Sequence, residues 1–424
     1  MNCGFKRFVS SMAPVKGMRD LLGADAWRYR IMIQKMSREC SLFGLEPVFT
    51  PIVERTDLFV RSVGDGSDIV TKELYTFYDK SDRNLCLRPE FTSSIMRSLL
   101  NEKCTNQTKG LYYYGPAYRY ERPQHGRYRE FHQFGVEIIQ SKSEIHDFLV
   151  IQLCHRLLSL LCITESLSLH INSLGSAASM KQYRQLLQEY LDRYKDALST
   201  DSQKRLARGS ILRILDSKEK QDQEILHEAP SILKTLDDAS CQRFARLQEL
   251  LTEFDIPFQV DDHLVRGLDY YDNIVFEFGS STGAVAGGGS YSSLARSLGV
   301  NRDIPCIGFS VGMERCMLLS SMEPNTRRFG VAIVILGGVT MEPVKEAARL
   351  ATRLREEGVV CRQVWTNNGV SKVVRDLKER VAVFIGENEL EDCKRGVFQV
   401  KDLEKKQQES MSWSALLQLL GESS

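Results

Sequence analysis

The residues best placed to do chemistry in this 424-residue chain lie in one short stretch, Tyr118 to Glu137. In the run FHQFGVEI, Phe134, Val136 and Ile138 occupy even positions, while Gln133 and Glu137 occupy odd ones. Side chains alternate across a strand, so Gln133 and Glu137 project together from the face opposite the apolar one. Paired polar groups over a packed layer form the floor of a site for a small polar ligand. The preceding turn, Tyr118 to Arg129, carries Arg119, Arg122, Arg127 and Arg129 together with His125. Guanidinium groups clustered at a loop bind phosphate through paired hydrogen bonds. On charge alone, a solvated basic hairpin is the equal alternative.

Other chemistries are disfavoured. The glycine run Gly287 to Gly289 lacks the G-x-G-x-x-G register, and no P-loop lysine follows it, so it reads as a place of close backbone approach. The 11 cysteines show no C-x-x-C, and Cys86, Cys154, Cys306 and Cys361 sit among apolar neighbours, which predicts buried free thiols rather than a zinc site. No side-chain metal site is expected. The apolar run Leu157 to Ile163, between Arg156 and Glu165, is too short to span a bilayer, so no membrane contact is expected. A net charge of +1 leaves RNA binding to local patches such as Lys204 to Arg208 and Lys372 to Lys378, each of which reads equally as a solvated face. Residues 1–14 are expected to be a leader or disordered terminus. Lys6, Arg7, Lys16 and Arg19 precede the first acidic residue, Asp20, and Met12 offers a second start. A basic, acid-free leader suits organellar targeting and a frayed terminus alike, so cytoplasm, mitochondrion or both remain open.

The elements that must position these residues follow from periodicity. Met32, Met36, Cys40 and Phe43 share a stripe of a helix from Asp25 to Phe43, stopped by Gly44. Glu46 to Val53 reads as a strand that Pro47 and Pro51 confine to a sheet edge. A second helix covers Asp147 to Ser159, and Lys109 to Gln140 reads as an antiparallel hairpin. Residues 173–260 turn charged and helical, with stripes Tyr183, Leu186, Leu187, Tyr190, Tyr194 and Phe244, Leu247, Leu251, Phe254, as expected of an inserted helical module. Strand patterns return at Asn273 to Phe278 and Ile304 to Ser310. After a linker at Met322 to Arg328, strands at Gly330 to Leu336, Val359 to Trp365 and Val381 to Ile385 alternate with a helix whose Val344, Ala347, Ala348, Ala351 and Leu354 face one way. That alternation predicts a separate α/β domain.

The run YRYERPQHGRYREFHQFGVE resembles motif 2 of class II aminoacyl-tRNA synthetases, in the form seen in histidyl enzymes. LRPEFT (Leu87 to Thr92) is similar to that family's ammonium-holding segment, and LVRGLDYY (Leu264 to Tyr271) to its histidine-specific motif. GFSVGMER (Gly308 to Arg315) resembles motif 3, Glu46 to Pro51 can serve as motif 1, and NSLGS and LRILDSK also match. The likeness runs from about residue 15 to the C-terminus. It implies an α+β catalytic domain over 15–321, an antiparallel sheet flanked by helices with the insertion at about 173–260. An α/β anticodon-binding domain would follow over 329–424.

The resemblance also implies roles. Arg119 would contact the α-phosphate of ATP and the histidine carboxylate, with Arg266 opposite it as a second catalytic cation. Arg127 and Arg315 would hold the nucleotide. Glu90, Thr92 and Gln133 would take the substrate ammonium, while Glu137, Tyr270, Tyr271 and Tyr291 surround the imidazole. ATP and L-histidine would be substrates, Mg²⁺ would ride on the ATP phosphates, and tRNA(His) and a second copy of the chain would be partners. Two departures stand out. Ser290 and Ser292 replace a common Arg and Asp, removing an ion pair beside Tyr291, and Phe91 stands where many relatives have glycine. An inactive relative, the regulatory subunit that partners ATP phosphoribosyltransferase, keeps the fold but not the full motif set; the retained Arg119, Arg266 and Arg315 argue against it.

Overall fold

The computed structural model describes residues 12–64, 67–124, 126–141, 143–163, 167–268, 270–280, 283–322, 330–337, 340–366 and 370–421. His125, Asp269, the first 11 residues and most of the expected linker lie outside that set. The chain forms two compact units, Met1–Pro324 and Asn325–Ser424.

The first unit is built on an eight-stranded sheet. In spatial order its strands are Glu46–Pro47, Lys109–Tyr118, Glu130–Ile139, Cys306–Gly312, Gly283–Tyr291, Tyr271–Ser280, Ser168–Ser173 and Gln259–Val260. All neighbours are antiparallel except the two outermost pairs. The prolines behave as expected of residues that cannot donate to a ladder. Pro47 lies on the edge strand, and the chain then leaves the sheet. The expected strand Glu46 to Val53 is therefore two pieces, the second being Val53–Arg55 in a separate three-stranded sheet with Asn84–Leu87 and Thr76–Tyr78.

The helices Gly23–Leu42 and Ile145–Ser159 cover one face of the large sheet. Met32, Met36, Cys40, Phe148, Ile151 and Cys154 pack there on Phe134, Val136, Phe276, Phe278 and Phe309. Phe43 does not join this stripe: it is 41% exposed at the C-cap, and the helix's burial ends at Cys40 before Gly44 turns the chain at φ +75°. The helix Thr92–Asn101 shares a smaller core with Tyr113, Ile139 and Tyr291.

The insertion leaves and rejoins the sheet through Ser168–Ser173 and Gln259–Val260, two short strands that the helical patterns around them obscured. Tyr183, Leu187 and Leu191 enter its own core, whereas Leu186 and Tyr194 are exposed. Its last helix, Asp238–Glu253, sends Phe244, Leu247 and Leu251 into the main core instead. Arg243 there clamps the fully buried Asp147 carboxylate at 2.6 and 2.8 Å. Phe254, at the end of that helix, is exposed.

The second unit is a five-stranded sheet in the order Cys361–Thr366, Val331–Leu336, Val381–Ile385, Val397–Asp402, Gln407–Ser412. The first three strands are parallel and the last two antiparallel. On the helix Glu342–Glu356 the buried stripe is Ala347, Leu350, Ala351 and Leu354; Ala348 is exposed, because it sits a quarter turn off that face.

Candidate active site

A cavity of about 310 Å³ opens on the face of the large sheet opposite the main core, lined by residues from six separated stretches of chain. Glu130–Ile139 supplies Gln133 and Glu137 through the strand alternation, and Glu90 and Thr92 stand at the start of Thr92–Asn101. Arg119 follows the first hairpin strand, and Arg127 lies in the turn. Arg266 and Tyr270 precede Tyr271–Ser280, Tyr291 ends Gly283–Tyr291, and Arg315 lies in Met313–Leu319.

The deep end is a buried, hydrogen-bonded cluster. Glu137 is 2% exposed and accepts the hydroxyls of Thr92 at 2.6 Å and Tyr291 at 2.8 Å. Burial pushes its carboxyl up to about 8 against those hydrogen bonds. Glu90 takes the backbone N–H groups of Thr92 (2.5 Å) and Ser93 (2.9 Å) at the helix start, a favourable place for a carboxylate. Burial nonetheless raises its pKa above the usual range. The phenols of Tyr270 and Tyr291 are likewise raised by burial and stay neutral donors, with their rings 5.4 Å apart. Gln133 donates to Ser310 Oγ at 3.3 Å, but its Oε1 is buried without a partner. An orphaned buried acceptor costs about 1–3 kcal/mol, a cost that a donor on a bound ligand would remove. Gly308 is required beneath this cluster, because a Cβ there would fall on the Glu137 carboxylate.

The other end is cationic. Arg119 Nε donates to the Pro89 carbonyl at 3.0 Å, and Arg266 Nη1 lies 2.5 Å from Glu277. Arg315 donates to the Ala284 carbonyl. Burial and then the neighbouring Arg127 charge lower the Arg315 pKa, a mark of two cations held close together in a partly buried place. Arg127 pairs with Glu121 at 3.4 Å. The turn's arginines therefore divide. Arg119 and Arg127 line the cavity, while Arg122 is exposed and Arg129 stacks on Tyr120 with its Nε on the Glu121 carbonyl.

Serine at 290 and 292 does not loosen the loop. Ser290 Oγ accepts the Ile274 N–H at 2.9 Å and donates to the Asp272 carbonyl at 2.7 Å, and Ser292 donates to the Asp272 carboxylate. Hydroxyls thus pin both flanks of Tyr291. Phe91 fills its position by stacking on Tyr113 at 4.3 Å with the Arg88 guanidinium on its other side. Local pattern does not single out Glu277, Glu121, Ser310 or Glu314; Glu314 holds the His132 N–H and ring and so ties the helix Met313–Leu319 to the hairpin. Glu277 still leaves a signal, a lone carboxylate alternating with Ile274, Phe276 and Phe278 on a strand.

The antiparallel sheet and a cavity that pairs an arginine cluster with a small polar pocket define a class II aminoacyl-tRNA synthetase. The family model for histidyl-tRNA synthetase matches residues 17–316, and that for an anticodon binding domain matches residues 330–423. The chain is 40% identical to a histidine–tRNA ligase of Ehrlichia canis, covering 97% of this chain and 98% of the relative. It is also 40% identical to one of Wolbachia pipientis, covering 89% and 92%. A solved apo histidyl-tRNA synthetase from S. aureus superposes with a TM-score of 0.76 at 27% identity, covering 96% of this chain and 99% of that one. The chain belongs to the histidyl-tRNA synthetase family.

Proposed function

We propose that the chain is a histidine–tRNA ligase that joins L-histidine to ATP, giving histidyl-adenylate and pyrophosphate, and then transfers the histidyl group to the terminal ribose of tRNA(His). The observation that carries this reading is the cavity itself. It holds a buried carboxyl–hydroxyl cluster fit for a small ring with two nitrogens next to four arginines fit for phosphates. In the first step a histidine carboxylate oxygen attacks the α-phosphorus, and the bond to the pyrophosphate oxygen breaks. Two anions must meet, and negative charge spreads over the α-phosphoryl oxygens. Arg119 and Arg266 would stabilise that charge from opposite sides, where losing one such group costs on the order of 10²–10³ in rate. Arg315 and Arg127 would hold the rest of the nucleotide. Glu90, Thr92 and the orphaned Gln133 Oε1 would receive the ammonium, with Glu137, Tyr270, Tyr271 and Tyr291 around the imidazole. A site that hydrogen-bonds both ring nitrogens rejects analogues lacking them by roughly 10⁴ or more.

Mg²⁺ suits the phosphate end, because a hard cation there takes its ligands mainly from triphosphate oxygens and water, with few carboxylates. Glu121 lines the cavity and is engaged only loosely, so it is the side chain fit to hold such a hydrated ion. Bound there, Mg²⁺ would neutralise the departing pyrophosphate. Exposed apolar residues Phe49, Ile52, Val53, Phe77 and Tyr78, near the edge strand and the small sheet, support a homodimer, which sedimentation would test. The second unit would read the anticodon. No helix among the described residues is long and apolar enough to cross a membrane. The relatives are bacterial, which suits the cytoplasm, and sequencing the mature N-terminus would decide between that and an organelle. The test of the function is pyrophosphate exchange with each of the twenty amino acids: histidine alone should support it, and exchange driven by any other would refute the assignment.

A further inference from the structure

Arg266 reaches the cavity from a loop, and a loop arginine with about 2 kcal/mol of rotamer entropy does not hold one position unaided. Two neighbouring strands hold it here. Arg266 Nη1 lies 2.5 Å from Glu277 Oε2. Glu277 is paired in register with Gly287 of the adjacent strand. Phe276 and Phe278 point into the main core, so alternation turns Glu277 to the cavity side. At Gly287 a Cβ would lie 2.5 Å from Arg266 Nη1 and 2.7 Å from its Cζ, which means the guanidinium rests on bare backbone. One register position therefore provides a carboxylate on one strand and an empty side-chain position on the next. Glu277 engages one terminal nitrogen, Nη1, while Arg266 Nε is buried without a hydrogen-bond partner.

We propose that Glu277, with Gly287 making the room, is the positioning residue that sets Arg266 before ATP and histidine arrive. This rests on the histidine-activation reading above and adds to it the group that orients one of its cations. A carboxylate so near a phosphate site would repel the substrate if it stood alone. Paired, it fixes the arginine's plane, and the free donors of the same guanidinium remain for the charge that develops in the transition state.

The test measures single-turnover adenylate formation by the full chain at saturating histidine and ATP. Glu277→Gln should slow it by about 10- to 100-fold, the scale of a misplaced catalytic group, with the histidine KM moving by less than about threefold. In an Arg266→Ala background the same substitution should cause no further loss, and a slight gain where it removes the unpaired carboxylate, because its favourable influence runs through the arginine. Gly287→Ala is a second probe with the carboxylate intact. The nearest atoms to its methyl all belong to the Arg266 guanidinium, so it should displace that group and give the same split between rate and KM. A Glu277→Gln protein at wild-type rate, a full multiplicative loss in the double variant, or recovery on raising Mg²⁺ would each overturn the proposal, the last by assigning Glu277 to the metal. A wild-type chain that forms no histidyl-adenylate would instead sink the underlying function, a distinguishable result.

Discussion

The two ends of the cavity are built on opposite principles. At the deep end Thr92 and Tyr291 are buried and already bonded to Glu137, and the buried Gln133 Oε1 is left without a partner. At the cationic end Arg119, Arg266 and Arg315 each rest on a carbonyl or carboxylate that could release donors to a ligand. Selection of a small ring requires fixed partners in a dry pocket, whereas stabilising a transient charge requires cations that are placed but not fully engaged. One end is rigid before the ligand comes; the other is poised.

Substitutions at the two ends should therefore fail differently. The largest expected effect is at the cationic end. Arg266→Ala should cut adenylate formation by roughly two decades or more with an unchanged melting temperature; an unaltered rate would remove Arg266 from the mechanism. At the deep end, Glu137→Gln should raise the histidine KM by about tenfold or more while kcat falls less. A change confined to kcat would erase the contrast between the ends.

Glu137 also gives the contrast a pH signature. Its carboxyl is raised from the ordinary 4.5 to about 8 by burial, so the folded state holds a proton that the unfolded chain releases. The stability this contributes is complete below about 4.5 and is lost as pH rises through about 8. The melting temperature of the wild type, measured against Glu137→Gln, should fall over that window and level off above it. A flat difference would show that Glu137 ionises normally. The smallest effect belongs to Ser290→Ala, which loses the hydroxyl bonds flanking Tyr291. A destabilisation of about 1 kcal/mol with a slight rise in histidine KM is expected, measurable by denaturant titration.

The deep end was largely legible in the sequence, because strand alternation alone placed Gln133 and Glu137 on one face, opposite Phe134 and Val136. The prolines at 47 and 51 marked a sheet edge for the same kind of local reason. What local pattern could not supply was pairing between distant segments. Glu277 becomes meaningful only when the sheet sets it opposite Gly287 and under Arg266. Leu186 and Tyr194 share the spacing of the buried stripe, but burial depends on what packs against a helix, and they stay 40% and 41% exposed. The Gly287 to Gly289 run signals close backbone approach in the sequence but gives no strand pattern. It is a strand whose missing side chains admit Arg266 on one side and neighbouring backbone on the other.

The central claim is that cations from distant parts of the chain meet at one phosphorus beside a pocket for imidazole. A crystal structure of the protein with a non-hydrolysable histidyl-adenylate analogue tests it most directly. Arg119 and Arg266 should lie on either side of the group replacing the α-phosphate, with an imidazole nitrogen within hydrogen-bond distance of Glu137. A ring bound away from Glu137, or arginine heads directed to separate regions, would contradict the account.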